Sequence, residues 1–257
     1  MTDDSLLFET EDRVARLTIN RERRRNALDD ATLFKLRDAL ESCKRDGVGA
    51  IVLTGAGTAA FSAGSDIKEL AEQTQDQKIA HTELGQDIGD MIERHPAPVI
   101  AAIEGYCLGG GLELAMACDF RIAGAGATLG LPEVRRLSAL PSWGGTVRLP
   151  RIVGVARARE VILFGRTLSA EEALDWGLVN RVTEAGAAVQ AALAMAKEFA
   201  AEVDPGAAAL AKRLVTFGYG APTQAGRYME YLADMSQLAS EALASGVGKF
   251  VGRDKDG

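Results

Sequence analysis

Two acidic residues and two glycine-bearing loops carry most of the chemistry this sequence can offer. In Val99-Ile-Ala-Ala-Ile-Glu-Gly-Tyr-Cys-Leu-Gly-Gly-Gly-Leu-Glu-Leu-Ala-Met-Ala-Cys-Asp119, residues 99–103 read as a buried strand. Residues 112–118 read as a helix whose first turn follows three consecutive glycines. Glycine costs roughly 0.5–1 kcal/mol relative to alanine inside a regular element, so the run points to a need for bare backbone. A helix N-terminus has that need, because its free N–H groups and positive dipole end attract developing negative charge. A tight strand-to-helix turn without a ligand satisfies the same pattern. Glu113 falls in the first turn of this helix, and Glu133 follows Pro132 at another helix start. Taken singly, each is explained as a macrodipole partner worth about 0.3–1 kcal/mol. The second loop, Ala63-Gly-Ser65, precedes a helix start at Asp66 and can turn N–H groups toward an anion. Arg21-Glu-Arg-Arg-Arg-Asn26 suits either a solvated face or a phosphate contact.

The elements that must position these residues alternate. Residues 8–20 read as a hairpin turning at Glu11-Asp12, with Ala15, Leu17 and Ile19 on one face. Asp29 or Asp30 caps a helix carrying Leu33, Leu36 and Leu40. A buried strand over 50–54 runs into Gly55-Ala-Gly-Thr-Ala-Ala60, a literal match to a dinucleotide-binding turn. Gly64, however, stands where the helix of such a turn should be forming. A helix over 76–94 is broken by His95-Pro-Ala-Pro98. Residues 120–123 form a strand, and 128–131 lead to Pro132. Pro141-Ser-Trp-Gly-Gly145 reads as a glycine-rich loop before a helix at about 155–164. Ser169-Ala-Glu-Glu172 is a capping box opening a short helix, followed by a strand over 178–182. From about residue 187 the pattern is helical, split at Asp204-Pro205 and at 218–222, and no internal repeat stands out. The class expected is α/β, with strands and helices alternating to about residue 182 and helices alone beyond it.

Composition narrows the functions. With 257 residues, 47% of them hydrophobic, the chain can bury a substantial core. A formal net charge of −7 disfavours nonspecific nucleic-acid binding, which depends on neutralising phosphates. No apolar run approaches the ~18 residues of a membrane helix, and the acidic start Met1-Thr-Asp-Asp4 shows no secretory signal. No membrane association and a cytoplasmic location are expected. Cys43, Cys107 and Cys118 lack metal-ligand spacing and suit a reducing compartment, so no metal site is expected. His81 and His95 are the only histidines, and His95 abuts Pro96 at a helix end, where a capping or solvated role is expected. A Ser-His-Asp triad has little material to draw on.

Three stretches stand together in the order and spacing of the enoyl-CoA hydratase/isomerase (crotonase) family, which the chain resembles nearly throughout. They are Phe61-Ser-Ala-Gly-Ser-Asp-Ile-Lys-Glu69; the stretch through Gly109-Gly-Gly-Leu-Glu-Leu-Ala115; and Gly130-Leu-Pro-Glu-Val-Arg135 continuing to Gly144-Gly-Thr-Val-Arg-Leu149. Gly165-Arg-Thr-Leu-Ser-Ala-Glu-Glu-Ala173 with Gly177-Leu-Val179 adds to the likeness. The resemblance implies an α/β, crotonase-like spiral of ββα units over 1–185, in two near-perpendicular sheets. It further implies a C-terminal helical region over 186–257 used in oligomer contacts, and a homotrimer or dimer of trimers. The implied substrate is an acyl-CoA thioester whose carbonyl oxygen is held by the backbone N–H groups of Ser65 and Gly110. Such donors are worth several kcal/mol, since losing one from an oxyanion hole costs about 2.7–4 kcal/mol. Arg25, Ala27, Ala63, Ser65, Asp66, Ile67, Lys68 and Gly110 are the implied CoA and substrate contacts. Lys249, Arg253 or Lys255 could reach a nucleotide in a neighbouring subunit. No metal and no cofactor beyond the CoA of the substrate is implied.

In hydratases of this family two glutamates handle the water, and both positions are filled here, by Glu113 and Glu133. Hydrating a conjugated double bond needs a base to orient or deprotonate water at the β-carbon and an acid to protonate the α-carbon. Glu113 is assigned mainly to the first task and Glu133 mainly to the second, as a coupled pair. The reaction expected is 2-trans-enoyl-CoA to 3-hydroxyacyl-CoA, or its reverse. Other readings are an enoyl-CoA isomerase, which needs one carboxylate, and a hydratase of a branched, aromatic or alicyclic acyl-CoA. From other classes come a noncatalytic or RNA-associated scaffold and an oxidoreductase binding NAD(P) at 55–60. Two positions depart from the family pattern. Ser65 stands where alanine is frequent, a change a backbone donor tolerates. Leu137-Ser-Ala-Leu-Pro-Ser-Trp143 replaces a smaller glycine-containing loop, so Trp143 either reshapes the acyl pocket or packs in a core or subunit contact.

Overall fold

The strands of the computed structural model, which describes residues 4–238 and 240–253, pair into two sheets. The hairpin of β1 (Leu6–Glu11) and β2 (Val14–Ile19) turns through Asp12 and Arg13, both in left-handed backbone at φ 49° and 63°. That geometry suits the right-handed twist of a two-residue hairpin. A single 3-10 turn, Glu22–Arg24, leads to α1 (Asp30–Arg45), capped by Asp29, whose side chain accepts from the Thr32 N–H. Its Leu33, Leu36 and Leu40 are buried, as their helical spacing requires.

Beyond α1 the chain visits the two sheets in turn. β3 (Ala50–Gly55) is followed by β4 (Ala60–Ser62), α2 (Ile67–Glu72) and α3 (Gln75–Arg94). β5 (Val99–Ile103), β6 (Tyr106–Leu108) and α4 (Gly110–Ala117) repeat the pattern. β7 (Phe120–Gly124), β8 (Thr128–Gly130) and α5 (Glu133–Leu137) repeat it again, with α6 (Gly145–Val153) and α7 (Val155–Phe164) behind them. β9 (Thr167–Ser169), α8 (Ala170–Asp175), β10 (Arg181–Thr183) and α9 (Ala188–Glu202) complete this part. The long strands form a sheet in the order β1-β2-β3-β5-β7-β10, parallel except for the hairpin; the short ones form β4-β6-β8-β9. β3 and β5 are buried at every residue, as interior parallel strands covered on both faces must be.

Several sequence expectations change. A strand, β4, follows Gly55 where a dinucleotide-binding turn requires a helix, which removes the NAD(P) reading. Gly145 opens α6 instead of extending a loop, and Pro150 lies inside that helix. The ββα repeat exists but is hidden, because its second strands are three residues long and its helices differ in length. The last strand begins at Arg181. Helix α9 lays Ala188, Ala192, Ala196 and Ala200 against Val14, Ala50, Val52 and Ile100, and the first compact unit runs to Ala201.

The second unit, from Glu202, contains α10 (Pro205–Gly218), α11 (Thr223–Leu238) and α12 (Glu241–Arg253). Asp204 caps α10 by accepting from the Ala207 N–H, and Pro205 occupies its first turn. No helix among the described residues is long and apolar enough to cross a membrane.

Candidate active site

Ser65 is positioned by a short backbone zipper. Ala63 N–H donates to the Arg25 carbonyl (3.0 Å), Leu28 N–H to the Gly64 carbonyl (2.9 Å), and Asp66 N–H to the Leu28 carbonyl (2.9 Å). Successive groups of an extended chain face opposite sides, so the Ser65 N–H turns away from Leu28. Asn26, fully buried, anchors the zipper: its Nδ2 donates to the Ala56 and Ala60 carbonyls at 3.0 and 2.6 Å. Arg21 pairs with Asp29 (2.8 Å) and Asp66 (3.0 Å). Burial raises the Asp66 carboxyl, but the Arg21 hydrogen bond and charge outweigh it and hold the group below the usual range. Asp66 also caps α2 through the Lys68 N–H, 3.2 Å away. Asp66 and Arg21 thus brace the loop, while Arg25 and Lys68 are exposed at its rim, Arg25 lying 5.4 Å over the Tyr106 ring.

The glycine run meets this loop. Gly109 adopts φ 55° and ψ −132°, a conformation that favours glycine, and a Cβ there would stand 3.0 Å from Glu133 Oε1. Gly110 begins α4, where an N–H has no partner within the helix. A Cβ on Gly64 would come within 3.2 Å of the Gly110 nitrogen, so the two donor loops are in contact.

Both glutamates reach the same pocket, a cavity of about 540 Å3 that also takes in Ser65, Gly110, His81 and Trp143. Glu113, 2% exposed, accepts at Oε1 from the N–H groups of Trp143 and Gly145, both at 2.7 Å. Burial raises its carboxyl to about 7; the nearby Glu133 adds to the rise, and the two N–H bonds and Arg148 only partly offset it. Burial also raises Glu133, whose Oε2 is buried without a hydrogen-bond partner among the described residues. A carboxyl poised near neutrality can take and return a proton at low cost.

Trp143 is 2% exposed and lines the pocket, so it serves as both core and wall. Its ring fills the space beside Gly85 and Gly110, where added Cβ atoms would come within 2.1 and 2.6 Å of it. Arg148, nearly buried, donates to the Trp143 carbonyl (2.6 Å) and is itself held by Glu93 (2.9 Å). His81, absent from the expected site, is buried in the pocket wall with its ring centroid 5.2 Å from that of Trp143. Its signal in the sequence was positional: with Leu84 and Ile88 it lies on the buried face of α3, beside Gly85 and Gly89. His95 is buried at the end of α3, where its Nδ1 accepts from the Ala97 N–H at 3.1 Å; it caps and is not solvated. Lys255 lies outside the described residues, and of Lys249 and Arg253 only the backbone is described. A larger groove, about 730 Å3, lies between the hairpin and α9 and is rimmed by exposed pairs such as Lys197–Glu11.

Residues 9–256 match the family described as enoyl-CoA hydratase/isomerase. Among its relatives, the crotonyl-CoA hydratase of Syntrophomonas wolfei is 40% identical over 185 residues, 72% of this chain and 71% of that protein. A probable enoyl-CoA hydratase of Rhizobium meliloti is 38% identical over 258 residues, 99% of this chain and 98% of its own. The crystal structure of an enoyl-CoA hydratase from Bacillus anthracis agrees with a TM-score of 0.93 at 37% identity, covering 97% of both chains. Sheets wound from ββα units, with this degree of likeness, define a crotonase fold. The chain belongs to the enoyl-CoA hydratase/isomerase family of enzymes.

Proposed function

We propose that this enzyme hydrates a 2-trans-enoyl-CoA to a 3-hydroxyacyl-CoA, and catalyses the reverse dehydration, with Glu113 and Glu133 as its proton-handling groups. The observation that carries this reading is the meeting, in one pocket, of a buried and a half-buried carboxyl, both raised above their usual range, and two touching loops with N–H groups to offer. The thioester oxygen lies between the N–H groups of Ser65 and Gly110, which take up its negative charge as an enolate forms. Glu113 orients and deprotonates a water at the β-carbon. Glu133, whose unpartnered Oε2 is free to bond water or substrate, protonates the α-carbon. Arg25, Ala27, Ala63, Asp66, Ile67 and Lys68 form the CoA side of the site, with Asp66 acting through the loop it braces. The name of one relative, a crotonyl-CoA hydratase, supports a thioester substrate. Three buried free cysteines accord with a reducing cytoplasm.

The test is loss of enoyl absorbance with crotonyl-, longer-chain, cinnamoyl- and cyclic enoyl-CoAs. Glu113→Gln and Glu133→Gln are each expected to slow hydration by about 10²–10⁴-fold. A wild type that turns over none of these substrates, or two variants at full rate, defeats the proposal. Double-bond migration without hydration would mark an isomerase, and the panel separates straight from branched, aromatic or alicyclic preference.

A further inference from the structure

We propose that Asp30, His81 and Ser65 form a nucleophilic triad that gives this pocket a second reaction, hydrolysis of an acyl-CoA thioester. The inference rests on the reading that the pocket takes an acyl-CoA, and adds to it a reaction that hydration does not use.

The three side chains come from separate elements, the start of α1, the middle of α3 and the loop before α2. His81 Nδ1 lies 2.6 Å from Asp30 Oδ1, and His81 Nε2 lies 3.0 Å from Ser65 Oγ. A carboxylate only accepts, so Nδ1 carries the proton, and in the neutral ring Nε2 is left to accept the Ser65 hydroxyl. That is the tautomer a serine nucleophile requires. Asp30 is fixed in turn by Gln73, whose Nε2 donates to Oδ2 at 2.9 Å, and the imidazole is 3% exposed, packed on Trp143. Ser65 and His81 both line the pocket with Gly110. The nitrogen and Oγ of one serine are three bonds apart. One residue can therefore donate its N–H to a carbonyl oxygen while its hydroxyl meets the carbonyl carbon, as the nucleophile of serine proteases does.

The steps balance with water as the only co-reactant. Ser65 Oγ attacks the thioester carbon, its proton passes to His81 Nε2, and the oxyanion rests on the Ser65 and Gly110 N–H groups. The C–S bond breaks, and His81 returns the proton to the departing CoA sulfur. Water then attacks the acyl-serine ester, giving its proton to His81, and the fatty acid leaves as the Ser65 hydroxyl is restored. Hydration calls on Glu113 and Glu133 and leaves the Asp30–His81 pair without a task.

Butyryl-CoA separates the two reactions, because it has no double bond to hydrate. The wild-type enzyme is expected to release free CoA thiol from it, read with a chromogenic disulfide, and to show an acyl adduct on Ser65 by mass spectrometry after acid quenching. Ser65→Ala and His81→Gln should abolish both signals. Asp30→Asn, which keeps the shape of the side chain, should cut thiol release by about 10²–10⁴-fold while crotonyl-CoA hydration continues at the wild-type rate. Hydration without thiol release overturns the triad and leaves the hydratase reading standing. Thiol release without hydration does the reverse. Thiol release that survives Ser65→Ala, or an Asp30→Asn variant slowed equally in both reactions, also overturns the triad, the latter because it marks a merely structural pair.

Discussion

Glu113 shows how two opposing effects on one side chain set its use. Its two N–H donors, one at the N-terminus of α6, favour the anion; burial and the Glu133 charge oppose it and win, leaving the carboxyl at about 7. An unfolded chain holds the same group near 4.5. Between those values the folded state keeps a proton that the unfolded state releases. Stability is therefore highest below about 4.5 as far as this group is concerned, and is lost as pH rises to about 7, by on the order of 3 kcal/mol. Glu113→Gln removes that loss. Urea unfolding at about pH 5 and about pH 8 should show the variant gaining on wild type at the higher pH; an equal difference at both would rule out burial of this carboxyl as the source of the pH dependence. Hydration itself should rise along an acid limb near 7, with apparent values belonging to the glutamate pair.

At the scale of elements, the loop before α6 is held from three sides: by Glu113, by Arg148 at the Trp143 carbonyl, and by Gln86, whose Nε2 donates to the Ser142 carbonyl at 2.7 Å. Helix α3 makes room for it with Gly85. Alanine there would gain roughly 1 kcal/mol of helix propensity, but its Cβ would stand 2.1 Å from a rigid indole. Overpacking of this kind costs about 1–3 kcal/mol, so Gly85→Ala should lower the melting temperature. It should also slow hydration, since shifting Trp143 moves an N–H donor of Glu113; an unchanged Tm and rate would show that the ring is freely movable. The long strands, the helix start at Asp29 or Asp30, the break at Asp204-Pro205 and the capping box at Ser169 were legible because their signals are local. The three-residue strands of the second sheet were not, since a period of two needs a longer window. Helix α6 was concealed by Gly144, Gly145 and Pro150. Glu113 and Glu133 were recognisable from motifs rather than from spacing, whereas Asp30 and His81, far apart in sequence, meet only through the packing of α1 on α3.

For the whole molecule, the second unit leaves Val215, Tyr219, Tyr228 and Phe250 more than 60% exposed. Apolar area of that extent on helices suits subunit contacts, and we propose a homotrimer or a dimer of trimers. Light scattering on a sizing column should return three or six times 27.2 kDa; the mass of a single chain would contradict this. The division at Ala201 also labels the chain without any mutation. Trp143, Trp176 and all three cysteines belong to the first unit, whereas Tyr219, Tyr228 and Tyr231 belong to the second. Buried thiols, with Cys43 pushed up to about 11 by burial and Asp46, react only when their surroundings open. Tryptophan emission and thiol trapping thus time the unfolding of one unit, tyrosine signals weigh toward the other, and their coincidence or separation measures how cooperatively the two melt.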